Sequence, residues 1–404
     1  MVYNEGMGKM ATMSRRREIE SELRECERQL RMSMAGGAGL GAAYPTVPFP
    51  ASAPAGDVLT ANEVSLYFVG TDGQRTQKKV KLTWANDNLQ KGFGPADDPM
   101  KQLREFTAFS NWRYNLDGAF LTSTYTVDGT AGKDKAAYRF TIEGLEIQSL
   151  DPFGPNRIGF GKFNFKVASR VISNVMDAGA VVGKELTTVH IPGVFLCRGN
   201  AVGILVVIED DTGKKHTLLT VQPRIAAGRF AFPEIPAGML DESTSFAGTA
   251  AKELKEETGI DLNMEDKPGK DGKPKTALAK IIDLTGSIYA GTNFSGVYPS
   301  AGGCDEMIQL FACELKMANH NMAWLSGRLN GELHEGEMIT LKIVPLENLA
   351  KEAPDMKALS ALYLYERFKS TAAGKATTWY NVDAQIEAKR TAETKPTLLP
   401  LPRK

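Results

Sequence analysis

Glu253, Glu256 and Glu257 are spaced i, i+3, i+4, so on a helix their three carboxylates project from one face. Like charges so placed repel by roughly 0.2–0.5 kcal/mol per pair. A hard divalent cation such as Mg²⁺ or Mn²⁺ turns that repulsion into attraction, because it prefers carboxylate oxygen. The plain alternative is a solvated acidic face. A helix must position them. The chain forms a loop from Gly238, a helix is predicted to begin near Ser245, and Gly259 follows its last residue as a C-terminal cap. Ala247, Ala250, Ala251 and Leu254 make the neighbouring apolar stripe that buries against a core, with Lys252 and Lys255 on the far side.

Read in order, Gly238, Glu253, Leu254, Glu256, Glu257, Gly259 and Ile260 resemble the Nudix box, G-x5-E-x7-R-E-U-x-E-E-x-G-U with U aliphatic. Two positions depart from it. Thr244 stands where the family has Glu, with Asp241 and Glu242 as nearby substitutes, and Lys252 stands where it has Arg. Lysine keeps the charge but lacks the guanidinium fork that orients a carboxylate.

Further stretches are similar to the ADP-sugar diphosphatase branch of the Nudix hydrolases, its plant plastid members in particular. They are Glu234-Ile-Pro-Ala-Gly-Met-Leu-Asp241, Asn111–Asp117, Arg157–Phe160, Ile191–Gly193 with Arg198-Gly199, and Ser300-Ala-Gly-Gly-Cys-Asp-Glu306. The last resembles a Ser-Pro-Gly-x-x-x-Glu signature with Ala301 in place of proline. The similarity spans roughly residues 105–370.

That resemblance implies a metal-dependent diphosphatase that splits ADP-glucose, ADP-ribose or a related nucleotide sugar into AMP and a sugar phosphate. It implies a metal shell of Glu253, Glu256, Glu257 and the Ala237 carbonyl, and a general base on a later loop, Glu335 or Glu337. Arg224, Glu234, Gly302 and Glu306 are implied at the substrate, Glu234 and Glu306 equally as supports of the metal. Trp112 and Phe109 are candidates for an aromatic wall against adenine, or for core or dimer interface. His334 is a candidate proton shuttle, although a lone loop histidine is commonly inert. Related enzymes pair through their β-rich N-terminal domains, which implies a homodimer.

Composition limits the rest. Among 404 residues, 48 Lys and Arg balance 48 Asp and Glu, so no field recommends nucleic acid or a membrane as partner. RNA decapping is disfavoured for the same reason and for want of a basic, aromatic strip. No apolar run approaches the roughly 18 residues of a membrane helix. Cys26, Cys197, Cys304 and Cys313 are scattered, which suggests a reducing intracellular compartment, the cytoplasm favoured over an organelle.

Residues 1–60 read as a flexible arm. A short charged helix carries Ile19, Leu23, Cys26 and Leu30, a candidate surface for a protein partner. Residues 61–185 read as a β-rich domain for dimerisation and substrate. A hairpin is expected at Val64–Val69 and Val80–Trp84, a helix over 97–117, and strands at Ala119–Val127, Ala137–Ile147 and Arg157–Val167. Residues 186–370 read as the Nudix domain, an α/β/α sandwich with a mixed sheet. Its expected strands are Ala201–Glu209, Thr217–Gln222, Ala279–Ile288, Met307–Leu315 and Met338–Pro345, its closing helix is Met356–Lys369, and Glu265–Lys275 is a surface insertion. Residues 371–404 read as a tail. Two other functions stay open: a UDP-sugar diphosphatase, and a non-catalytic Nudix module acting as ligand sensor or assembly component.

Overall fold

The computed structural model describes residues 53–70, 73–85, 98–122, 124–128, 134–153, 157–177, 180–240, 246–262, 281–290, 292, 294–331 and 338–394. Residues 1–52 of the expected arm, the 265–275 insertion and residues 332–337 lie outside them; residues 53–60, expected in the arm, instead join the first sheet, with Leu59 buried in its core and Asp57 paired with Arg113.

An eight-stranded sheet comes first. It comprises β1 (Glu63–Val69), β2 (Arg75–Trp84), β3 (Leu116–Asp117), β4 (Thr124–Asp128), β5 (Asp134–Pro152), β6 (Ile158–Asp177), β7 (Ala180–Ile191) and β8 (Val194–Cys197). The order is β3-β1-β2-β5-β6-β7, with β4 on β5 and β8 on β6. β1 and β2 pair antiparallel as the hairpin pattern predicts. Val64, Leu66, Phe68, Val80 and Leu82 join Phe109 and Phe163 in its core.

The helix expected over 97–117 is two: α1 (Pro99–Glu105) and α2 (Thr107–Tyr114). Asp98 caps the first by accepting from Met100 N at 2.9 Å. Phe106 takes extended backbone between them, and its ring is buried in the same core as Leu103 and Phe109, so the chain turns there. The strand expected at 119–127 is likewise divided into α3 (Ala119–Thr122) and β4.

A nine-stranded mixed sheet follows. Its strands are β9 (Ala201–Glu209), β10 (Lys215–Arg224), β11 (Arg229–Glu234), β12 (Ala237–Met239), β13 (Ile282–Asp283), β14 (Ile308–Lys316), β15 (Leu329–Asn330), β16 (Ile339–Pro345) and β17 (Tyr380–Asn381). The order is β13-β14-β9-β10-β16-β15, and β14 runs parallel to β9. β9 is apolar nearly throughout because both faces are covered.

Val202, Ile204, Val206 and Ile208 face a cluster that includes Leu254 and Ile386, from α4 (Phe246–Thr258) and α10 (Asp383–Thr394). Ala201, Leu205 and Val207 face the other way, into a cluster with Leu284 of α5 (Leu284–Ile288), Leu349 of α7 (Leu349–Glu352), and Ala358, Ala361 and Leu364 of α8 (Met356–Lys369). Two short helices complete the set, α6 (Asn319–Leu325) and α9 (Ala372–Lys375). The helices therefore lie on both sides of a mixed sheet, as expected.

Two expectations are corrected. In the stretch 279–288, residues 282–283 pair with β14 and the chain then turns helical, because Asp283 accepts from Gly286 N at 2.7 Å and caps α5. Residues 371–394 are folded, not a tail. β17 adds to β14, Val382 and Ile386 are buried, and Asp383 accepts from Ala318 N at 2.7 Å. The tail pattern misleads because only a narrow side of α10 is apolar.

Candidate active site

The carboxylate helix α4 ends at Gly259, whose φ of +73° closes the helix in the left-handed region. Ala250, Ala251 and Leu254 bury its apolar stripe. Glu253 and Glu257, one turn apart, meet the β12 backbone. Glu257 is 4% exposed, and its Oε2 accepts from Ala237 N at 3.1 Å.

Gly238 has no side chain where the Glu253 carboxyl rests; a Cβ there would coincide with it. Pairing with β9 alternates, since Pro236 O accepts from Ile204 N of that strand and Leu240 N donates to Asn200 O just before it. The Ala237 N–H and carbonyl therefore turn away from β9, toward the α4 carboxylates. Glu256 is half-buried and pairs with Lys252 at 3.8 Å.

A second cluster stands beside the first. Glu234, 3% exposed at the end of β11, accepts from Arg224 Nε through Oε1 and from Lys357 Nζ at 2.8 Å through Oε2. Lys357 also bonds Asp355 Oδ1 at 3.0 Å. Asp355 is the N-cap of α8, accepting from Lys357 N and Ala358 N. Burial alone would lower the Lys357 and Arg224 pKa values. The carboxylates outweigh it and raise both, Glu257 being among those that act on Arg224.

The third part is the loop after Ser300. Asp305 Oδ1 accepts from Arg198 N at 2.8 Å and Gly199 N at 3.3 Å. The Arg198 guanidinium lies 5.7 Å from the Phe160 ring centroid and 3.5 Å from Glu306 Oε2. Burial pushes the Glu306 carboxyl above its ordinary value, opposed by Arg198 and Lys357 and reinforced by Asp305 and Asp355. Lys357 thus acts on both the Glu234 and the Glu306 carboxylates.

Residues 198–363 match the NUDIX domain. The chain is 31% identical over 274 residues to Nudix hydrolase 14, chloroplastic, of Arabidopsis thaliana, covering 68% of this chain and 74% of that one. The chain belongs to the Nudix hydrolase family. A crystal structure of an ADP compounds hydrolase also matches 59% of this chain and 99% of its own, at 13% identity and a TM-score of 0.28, too slight a likeness to bear on the fold.

In this Nudix hydrolase, Arg224, Glu234, Ala237, Glu253, Glu257 and Glu306 are gathered around the ends of β9, β11, β12 and α8, while Glu256 is turned to Lys252 on α4 itself. Trp112 is placed elsewhere. It packs in the aromatic core of the first sheet, 5.4 Å from Phe165 and 4.7 Å from Phe195, and Phe109 is fully buried with it. Phe109 is core, and Trp112, partly buried, packs against that core. Gly302 is exposed, and a Cβ added to it would meet nothing within 4 Å. Glu335, Glu337, His334, Thr244, Asp241 and Glu242 fall outside the described residues.

Sequence reasoning missed Lys357 and Asp355, and took Arg198 and Asp305 only as parts of similar stretches. Asp355 carried a signal, an aspartate just before an amphipathic helix, which places Lys357 in its first turn. Among the described residues no three His, Cys, Asp or Glu side chains converge as a formed metal centre. The donor set nonetheless fits a hard divalent cation. It offers carboxylate oxygens on one helix, a backbone carbonyl turned toward them, and a glycine that admits Glu253 against the loop.

Proposed function

We propose that this Nudix hydrolase cleaves the diphosphate linkage of ADP-sugars, ADP-glucose or ADP-ribose, to AMP and a sugar phosphate. The observation that carries this reading is the juxtaposition of two chemistries. Glu253 and Glu257 meet the Ala237–Gly238 backbone, and Arg224 is within electrostatic reach of Glu257. Carboxylates for cations beside a guanidinium for phosphate suit a substrate with two linked phosphates. ADP as the nucleotide rests on the resemblance carried by Glu234–Asp241 and Ser300–Glu306.

Nudix enzymes use divalent metals such as Mg²⁺. Glu253, Glu256, Glu257 and the Ala237 carbonyl would hold the cation, which supplies charge neutralisation and a more acidic bound water. Glu257 is already oriented by Ala237 N, while Glu256 must leave Lys252 to join it. Arg224, supported by Glu234, would bind a phosphate oxygen through its fork, and Glu306 would border the substrate beside Arg198. In the hydrolysis, water oxygen bonds to one phosphorus, its proton passes to Glu335 or Glu337, and the bridging P–O bond breaks with the other phosphate leaving.

The boundary expected at 185/186 falls inside β7, and β8 carries the first sheet on to Cys197; we infer further that this first sheet pairs two subunits as a homodimer. The described cysteines, Cys197, Cys304 and Cys313, are free thiols, which accords with a reducing compartment. Among the described residues no helix is long and apolar enough to cross a membrane.

The test is product release from a panel of ADP-, UDP- and GDP-sugars and dinucleotides, with Mg²⁺, with Mn²⁺ and with chelator. AMP released from ADP-sugars only with metal is the expected result. UMP release in preference would move the assignment to UDP-sugars. No turnover of any compound would leave a ligand-binding role.

A further inference from the structure

We propose that Lys357 is a positioning residue. By holding Oε2 of Glu234, it leaves Arg224 to engage Glu234 through Nε and to present its outer nitrogens to a substrate phosphate. This rests on the proposal above that Arg224 meets the substrate.

The geometry is specific. Glu234 is buried, and its two oxygens are divided between two cations, Oε1 to Arg224 and Oε2 to Lys357. A buried carboxylate facing arginine alone favours the two-pronged arrangement, in which two guanidinium N–H groups bond both oxygens. Here Lys357 Nζ occupies the second oxygen at 2.8 Å. Among the described residues Arg224 hydrogen-bonds through Nε, and its side chain remains 43% exposed. The guanidinium is thus oriented by Glu234 without being consumed by it, next to the Glu257 charge.

Lys357 is itself fixed from the other side. Asp355 bonds its Nζ at 3.0 Å and caps the same helix through Lys357 N and Ala358 N. α8 has anchors that do not use the Lys357 ammonium. Glu314 accepts from Tyr365 at 2.5 Å and pairs with Lys369 at 2.8 Å, and Ala358, Ala361 and Leu364 are buried. Removing the Lys357 ammonium therefore spares the cap, which uses backbone N–H groups, and spares the helix packing.

The Lys357→Met variant tests this in two ways. Its crystal structure is expected to show Arg224 closed two-pronged on Glu234; Arg224 still bonded through Nε alone overturns the proposal. In steady-state kinetics on an ADP-sugar, KM is expected to rise about tenfold with kcat little changed, the signature of lost ground-state binding. In an Arg224→Ala background the same substitution should add almost nothing, because both changes remove one interaction. Lys357→Arg should restore most of the KM. Equal losses in both backgrounds, or loss confined to kcat, overturn the proposal. Should Lys357→Met fail to fold, Lys357→Ala, which likewise removes the donor to Glu234 Oε2, undergoes the same measurements with the same expected outcomes. If the parent enzyme hydrolyses no ADP-sugar, the functional reading fails, and the crystal comparison still decides the role of Lys357 toward Arg224.

Discussion

Oε2 of Glu257, a carboxylate 20 residues downstream, accepts the backbone N–H of Ala237 at 3.1 Å and ties the acidic helix to the β12 strand. The bond places one side chain of the box on the strand whose carbonyl faces the same space. Local helical order and sheet register are thereby joined at the point where the cation is proposed to bind.

Glu257→Gln keeps an oxygen for Ala237 N but loses the charge. We expect a folded protein with kcat lower by about 10²–10³-fold, the scale of losing one preorganised electrostatic group. Turnover with Mg²⁺ and thermal unfolding of the same preparation check both halves.

Gly238→Ala places a methyl group where the Glu253 carboxyl lies. Glu253 must swing away, and a misplaced group near the reacting centre costs roughly 10²-fold in rate. Activity should fall with little change in unfolding temperature, because Gly238 is only half-buried on a short strand. Isothermal titration with Mn²⁺ should show weakened metal uptake.

Glu306 is expected to contribute an acid limb to kcat/KM above the ordinary carboxylate range, since burial raises its pKa. Arg198 opposes that shift from 3.5 Å. Arg198→Met removes the opposing charge, so the limb should move to still higher pH. A pH–rate profile of both proteins checks the direction; a shift to lower pH would remove Glu306 from the profile.

On α2, Arg113 is 1% exposed and grips Asp57, ahead of β1, with two bonds of 2.7 and 2.8 Å. Burial alone would raise the Asp57 pKa, but Arg113, Tyr114 and Tyr67 outweigh it, and the net shift is downward. A depressed folded-state pKa gives stability present above the unfolded value of about 3.9 and lost as pH falls through the folded value. Unfolding temperature should therefore drop on acidification below about pH 4. That contribution should vanish in Asp57→Asn. Arg113→Met, which leaves the half-buried Asp57 carboxylate without its cation but still bonded by Tyr114, should cost about 1–3 kcal/mol at neutral pH.

Ile386 is fully buried on α10, in the same core as Leu254 of the acidic helix. Ile386→Ala should cost about 2–5 kcal/mol in denaturant unfolding. Deleting residues 380–404 should destabilise the Nudix domain further, since it also removes the Asp383 bonds to Ala318 N and Asn321. A deletion without effect on stability would return this segment to the status of a tail.

The sequence by itself determined what depends on neighbours along the chain. The face shared by Glu253, Glu256 and Glu257 follows from helical pitch, Gly259 from the need for positive φ, and β9 from an unbroken apolar run buried on both sides. α8 was legible from Met356 to Lys369 because the run is free of Gly and Pro and follows an aspartate cap; its amphipathic period is weak, with Leu359 and Tyr363 exposed.

What only the tertiary structure decided are pairings across long separations. Lys357 meets Glu234 across 123 residues, and Gln385 bonds Asp261 N across 124. Nothing in local propensity specifies such a meeting, because it arises from how the sheet brings its strand ends beside α8 and α10. Trp112 shows the converse. Its type suited a ligand wall, a core or a dimer interface, and only the fold placed Phe165 and Phe195 around it.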